Sequence, residues 1–171
     1  MAQVNDSLEN LQHFYRAVDR RAKILSEIHV ARLRCQRGCA SCCVDEITVW
    51  TIEAEHIRQT QNEFLKTAQP NKSGGCAFLD ETSGACRIYE SRPYVCRTQG
   101  LPLRWFDEID NEIYELRDIC PLNETTEPIE NLDENDCWTI GNFENLLAQL
   151  ENEFANGGMN RIALRDLFEP Q

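Results

Sequence analysis

Four cysteines fall within nine residues, as Cys35-x3-Cys39-x2-Cys42-Cys43, and five more follow at Cys76, Cys86, Cys96, Cys120 and Cys137. No other feature limits the fold so strongly. Nine is an odd count, so these thiols cannot all close into disulfides within one chain. The first ten residues lack the basic region and apolar core of a secretory signal, and Leu167 to Gln171 form no lipidation box. The expected compartment is therefore the reducing cytoplasm, where structural disulfides are rare. Clustered thiols there point to metal ligation or redox chemistry.

The candidate metal ligands are Cys35, Cys39, Cys42, Cys43, Cys76, Cys86, Cys96 and Cys120, eight thiols and enough for two four-thiolate sites. Ala77–Leu79 and Ala85–Tyr89 read as two strands around the turn Asp80-Glu81-Thr82-Ser83-Gly84. Pairing Leu79 with Ala85 sets Cys76 and Cys86 on one face as diagonal neighbours, roughly 7–8 Å apart at the backbone. Cys42 and Cys43 are adjacent, and adjacent residues rarely both reach one tetrahedral ion. One of them binds a second metal, bridges two metals or faces away. Cys137, beside Trp138 and ahead of a helix, reads as buried packing.

Structural zinc sites usually pair short knuckles with two intervening residues, and only Cys39-x2-Cys42 has that spacing. Thiolate-only ligation and the Cys120-Pro121 pair tilt the cofactor toward an iron–sulfur cluster over zinc, although the thiolate set suits either. Cys35-x3-Cys39-x2-Cys42 also matches the spacing of the radical S-adenosylmethionine motif. Ser41 stands where that motif has an aromatic residue, a long helix precedes the site, and the chain has no repeated βα units.

A length of 171 residues predicts one domain, 1–171. Apolar residues at 42% and charged residues at 27% exclude long disorder, and no apolar run is long enough to span a bilayer. Leu8, Leu11, Tyr15, Val18, Ala22, Leu25, Ile28 and Leu33 recur at mostly three- and four-residue steps. They predict a helix capped by Asp6 and stopping near Gly38, roughly 40 Å long at 1.5 Å per residue. Ile47–Val49 reads as extended, Thr51 to Lys66 as a second helix and Ile113–Arg117 as a strand. Ile140, Phe143, Leu147, Leu150 and Phe154 form a later helical stripe that Gly157-Gly158 ends, and Arg161 to Phe168 reads as a last helical turn or two. The fold class is mainly α with a small irregular β part. Helical flanks at 6–34 and 139–168 enclose a cysteine-rich metal-binding core at about 35–120.

The net charge of −12 makes nucleic acid and anionic membrane poor partners. Arg16 to Arg37 carries seven basic and two acidic residues, whereas Pro121 to Asn160 carries nine acids and no Lys or Arg. These are two faces that attract each other within one fold, or the acidic one docks a protein partner. His13, His29 and His56 have no ligand spacing and read as exposed or half-buried helix positions. Arg87, Arg92 and Arg97 interleave with Cys86 and Cys96, where guanidinium groups either offset the negative charge of a bound cofactor or pair with the acidic tail. Arg97 to Trp105 lines a pocket or packs as a loop. No phosphate loop, G-x-S-x-G, dinucleotide fingerprint or H-E-x-x-H occurs, so no catalytic residue is identified.

The ordered set Cys35-x3-Cys39-x2-Cys42-Cys43, Cys76-Ala77-Phe78-Leu79, Cys86-Arg87-Ile88-Tyr89, Arg92-Pro93 and Cys96-Arg97 resembles the YkgJ-type cysteine-cluster family over about residues 35 to 120. That family is described as a zinc- or iron-chelating domain, and the resemblance implies metal binding by the eight matching cysteines. Some relatives are linked to protein lysine methylation, but no methyl-donor site maps onto this chain. The expected function is a cytoplasmic metal-binding protein with a multi-cysteine iron–sulfur or zinc site that folding requires. The alternatives are an iron–sulfur oxidoreductase or protein-modifying enzyme, and a metal carrier or interaction module with an acidic docking tail.

Overall fold

The computed structural model describes residues 2–36, 38–72, 74–125 and 127–168. Helix predominates, beginning with the long helix α1 (Ala2–Ile28), and the strands are mostly short. The chain divides into two compact units. The first comprises Met1–His13, Gln36–Pro93 and Ala148–Gln171, and the second Phe14–Cys35 and Tyr94–Leu147.

Helix α1 buries Leu8, Leu11, Tyr15, Val18 and Leu25, as the stripe predicts, but leaves Ile28 half exposed. It begins before Asp6, which is therefore no cap, and ends well before Gly38. Side-chain bonds draw the chain off the helix axis. The His29 ring bonds the Asp136 carbonyl at 2.6 Å, Arg32 donates to the Glu127 carbonyl at 2.9 Å, and the Arg34 N–H donates to Asn123 Oδ1 at 2.7 Å. His29 and His56 are thus buried, not surface positions.

In the first unit, β1 (Thr48–Trp50) leads into α2 (Thr51–Thr60) and α3 (Asn62–Thr67). The single helix expected over Thr51 to Lys66 breaks at Gln61, whose side chain donates to Ser91 Oγ at 3.0 Å. Arg161 to Phe168 is not simply helical. Arg161–Ala163 forms β7, antiparallel to β1 with Val49 opposite Ile162, and a 3-10 turn follows at Leu164–Leu167. Pairing with β1 supplies the hydrogen bonds that a helix there would have made internally. Val49, Ile57, Phe78, Ile88, Leu164 and Phe168 anchor the core, with Phe78 and Phe168 ring centroids 5.0 Å apart.

The cysteine hairpin is shorter than expected and slipped by one residue. It consists of β2 (Leu79–Asp80) and β3 (Ala85–Cys86), with Leu79 opposite Cys86 and Asp80 opposite Ala85. The Gly84 N–H bonds the Asp80 carbonyl at 2.8 Å, which sets the loop length and hence the register. Cys76 precedes the strand in a turn closed by the Leu79 N–H on its own carbonyl at 2.9 Å, so the diagonal strand relation to Cys86 does not apply.

The second unit carries α4 (Tyr94–Arg97) and the sheet order β5-β4-β6, from β4 (Leu103–Ile109), β5 (Glu112–Asp118) and β6 (Trp138–Thr139). Asp110 and Asn111 both take positive φ, 54° and 64°, which suits a two-residue hairpin loop between β4 and β5. Trp138 is fully buried, stacks on Phe143 at 4.8 Å, and donates Nε1–H to the Tyr94 hydroxyl at 3.1 Å. Helix α5 (Asn142–Phe154) follows, with Glu144 accepting the Gly141 N–H at 2.6 Å ahead of its first turn.

Candidate metal centre

Two consecutive turns shape the first cysteine loop. The Cys39 N–H bonds the Gln36 carbonyl and the Cys43 N–H bonds the Ala40 carbonyl, both at 2.9 Å. The Cys43 carbonyl then accepts the Cys76 N–H at 2.9 Å, tying the loop to the head of the hairpin. The hairpin tip touches the loop again at Gly38. A β-carbon on Gly84, whose φ is +65°, would lie 2.8 Å from the Gly38 oxygen and 3.0 Å from its α-carbon. Only glycine allows that approach.

Asp45 and Arg165 lock the same region. Arg165 Nη2 meets Asp45 Oδ1 at 2.7 Å, and Arg165 also donates to the Asn71 carbonyl at 2.6 Å and the Gly75 carbonyl at 3.0 Å. Asp45 Oδ2 accepts the Gly74 N–H at 3.0 Å. The Gly74 N–H, then the Arg165 guanidinium, hold the Asp45 carboxyl down at about 2. Neither residue is marked by the cysteine pattern.

Cys42, Cys43, Cys76 and Cys86 share an electrostatic neighbourhood. The Cys43 thiol donates to the Cys42 sulfur, which lowers Cys42 to about 6. Cys43 is pushed up by that same bond, then by burial and by the charges of Cys42, Cys76 and Cys86. Burial is the first cause that raises Cys76 and Cys86. Each of these two sulfurs accepts a backbone N–H from two residues ahead, Phe78 for Cys76 and Ile88 for Cys86, and each bond favours the thiolate. Arg165 and Arg87 draw Cys76 down, and Arg92 and Arg87 draw Cys86 down.

The remaining candidates are placed differently. Cys39 Sγ lies 3.9 Å from Ser41 Oγ. Cys35, Cys96 and Cys120 belong to the second unit. There the fully buried Asn123 donates Nδ2 to Cys35 Sγ at 3.4 Å and to the Gly100 carbonyl at 2.8 Å, and its own N–H bonds the Cys120 carbonyl at 2.7 Å. Cys137 is buried, with Arg117 Nη1 3.9 Å from its sulfur. Among the described residues no disulfide is formed. Among the described residues, no group of three or more His, Cys, Asp or Glu side chains is arranged to hold a metal ion.

Arg87 donates to the Gln69 carbonyl at 2.9 Å and lies over the Phe64 ring at 5.0 Å. Arg92 lies 4.0 Å over the Tyr89 ring, and Arg97 reaches Asp19 at 2.7 Å. The basic and acidic segments meet inside the second unit. Arg21 donates to the Asn135 carbonyl at 2.6 Å, and Arg32 reaches the Glu127 carboxylate at 3.7 Å. The segment Arg97 to Trp105 is partly strand, since β4 begins within it.

A family model described as "CxxCxxCC: Putative zinc- or iron-chelating domain" matches residues 34–121. That is just over half of the chain, and the chain belongs to this family. Neither curated proteins nor solved structures give a significant match. Among the described residues, no helix is long and apolar enough to cross a membrane.

Proposed function

We propose that this is a cytoplasmic metal-binding protein in which Cys42, Cys43, Cys76 and Cys86 hold one thiolate-bound centre, an iron–sulfur cluster in preference to a single zinc ion. The paired N–H bonds to the sulfurs of Cys76 and Cys86 carry the reading. They orient both thiols and partly offset the burial that raises them, and a bound metal would complete their deprotonation. The donor set is soft thiolate throughout, which suits zinc and iron–sulfur alike. The adjacent Cys42 and Cys43 favour more than one metal atom, because neighbouring residues rarely both reach a single tetrahedral ion. Arg87, Arg92 and Arg165 offset the charge of such a centre. The centre itself would supply electron transfer or a covalent staple between the loop and the hairpin. The same reading assigns Cys39 to the margin of this site and Cys35, Cys96 and Cys120 to a second thiolate group, whose Cys35 sulfur Asn123 steadies.

Anaerobic isolation with quantification of iron, acid-labile sulfide and zinc tests the proposal. Iron and sulfide in equal amounts, with visible absorption that dithionite bleaches, are expected. Cys76→Ser and Cys86→Ser each lose the metal of this centre, whereas Cys137→Ser retains it. Zinc without iron overturns the iron–sulfur assignment, and a folded chain isolated without metal that then takes up neither zinc nor iron overturns metal binding.

A further inference from the structure

The β4–β5 hairpin is the strongest unexplained surface. Phe106, Ile109, Ile113 and Tyr114 are exposed by 56, 47, 75 and 43%. The same stretch, Asp107 to Tyr114, carries Asp107, Glu108, Asp110 and Glu112 and no Lys or Arg. Among the described residues, no cation pairs with these four carboxylates. Glu115 differs, since Arg104 and Arg117 already neutralise it.

The sheet order leaves β5 as an edge strand, and β6 pairs with β4 only at Leu103 and Arg104. At the base of the hairpin Arg117 closes the β5 edge by donating to the Ile129 and Leu132 carbonyls at 2.9 and 2.7 Å. From Glu112 to Glu115, no strand among the described residues flanks that edge. An edge of this kind accepts an added strand through backbone hydrogen bonds, with alternate side chains setting the specificity.

We propose that the edge of β5 at Glu112–Glu115 docks an extended, basic segment of a partner protein in which Lys or Arg alternates with aliphatic residues. The aliphatic side chains would lie on the face of Ile113 and Phe106, and the cations on the opposite face would meet Asp107 and Glu112. Charge decides against a second copy as occupant. The chain carries −12, and self-pairing along β5 would set carboxylates against carboxylates. The inference is independent of which metal the cysteines hold.

The test is titration of the isotopically labelled full chain with the synthetic peptide (Lys-Val)4, followed by amide NMR. Saturable shifts confined to Glu112–Glu115 and the facing β4 residues are expected. Binding should weaken at least about fivefold in Asp107→Asn/Glu112→Gln, and again in Ile113→Ser. All three positions are exposed, and an otherwise unchanged spectrum shows that each variant is folded. Equal binding of (Lys-Ser)4 overturns the strand-docking proposal in favour of charge alone. Equal binding of (Glu-Val)4, no saturable shift at β5, or concentration-dependent self-association through the hairpin also overturns it.

Discussion

Asn123 holds three backbone segments with one side chain. Its amide joins the Arg34 N–H, the Gly100 carbonyl and the Cys35 sulfur, and none of it is exposed. Asn123→Ala leaves a part-buried donor and a part-buried acceptor without this partner, at a cost of about 1–3 kcal/mol. A lower urea midpoint with an unchanged slope is the expected readout. Gly84 is the other sensitive residue. Gly84→Ala adds a β-carbon where the Gly38 backbone already stands and demands a left-handed conformation from alanine. The expected loss is about 1–3 kcal/mol. If the hairpin tip positions Cys86 as proposed, the variant also retains less metal, measured by elemental analysis of the folded fraction.

At the scale of elements, helix α5 caps helix α2. The fully buried Glu151 carboxylate accepts the Ile52 N–H at 2.9 Å and the Thr51 hydroxyl, serving the open donors of the first turn of α2. Glu151→Ala removes that acceptor and should cost about 2–3 kcal/mol. Hydrogen exchange checks it, with protection falling first at Ile52 and the next residues of α2. Arg165 performs the same service for loops, joining the final 3-10 turn to Asp45, Asn71 and Gly75. Arg165→Met keeps most of the side chain's bulk and loses every one of those bonds. It should lower stability by about 2–4 kcal/mol, read from thermal unfolding of variant and parent side by side.

For the whole molecule, metal binding and folding are linked quantities. A ligand held at a concentration about 1,000-fold above its dissociation constant adds about 4 kcal/mol to the folded state. At about 2–4 °C per kcal/mol for a chain of this size, stripping the metal should lower the melting temperature by roughly 8–16 °C. Calorimetry before and after treatment with a strong chelator measures this directly. The aromatic and aliphatic core around Phe78 and Phe168 consists of side chains alone, so the stripped chain should still unfold cooperatively at the lower temperature. No shift on chelation would mean that no chelatable metal contributes to the folded state.

Local repetition was enough to foresee helices α1 and α5, because a buried face imposes its own period on the residues that form it, and β-branched and aromatic residues marked the extended pieces at β1 and β5. The thiol clustering likewise pointed to the zinc- or iron-chelating family that matches residues 34–121, because closely spaced soft thiolates favour thiophilic metals. Two-residue strands have no period to detect, so the hairpin register went to the Asp80–Gly84 loop and to the contact of Gly84 with Gly38. Asn123, Glu151 and Arg165 each bond residues far away in the chain, and no spacing rule marks such partners. Which thiols share a neighbourhood was decided in the same way. Chain order alone groups Cys35 with Cys42 and Cys43, yet tertiary packing sets Cys42 and Cys43 with Cys76 and Cys86, because backbone bonds and desolvation act through space and not along the chain.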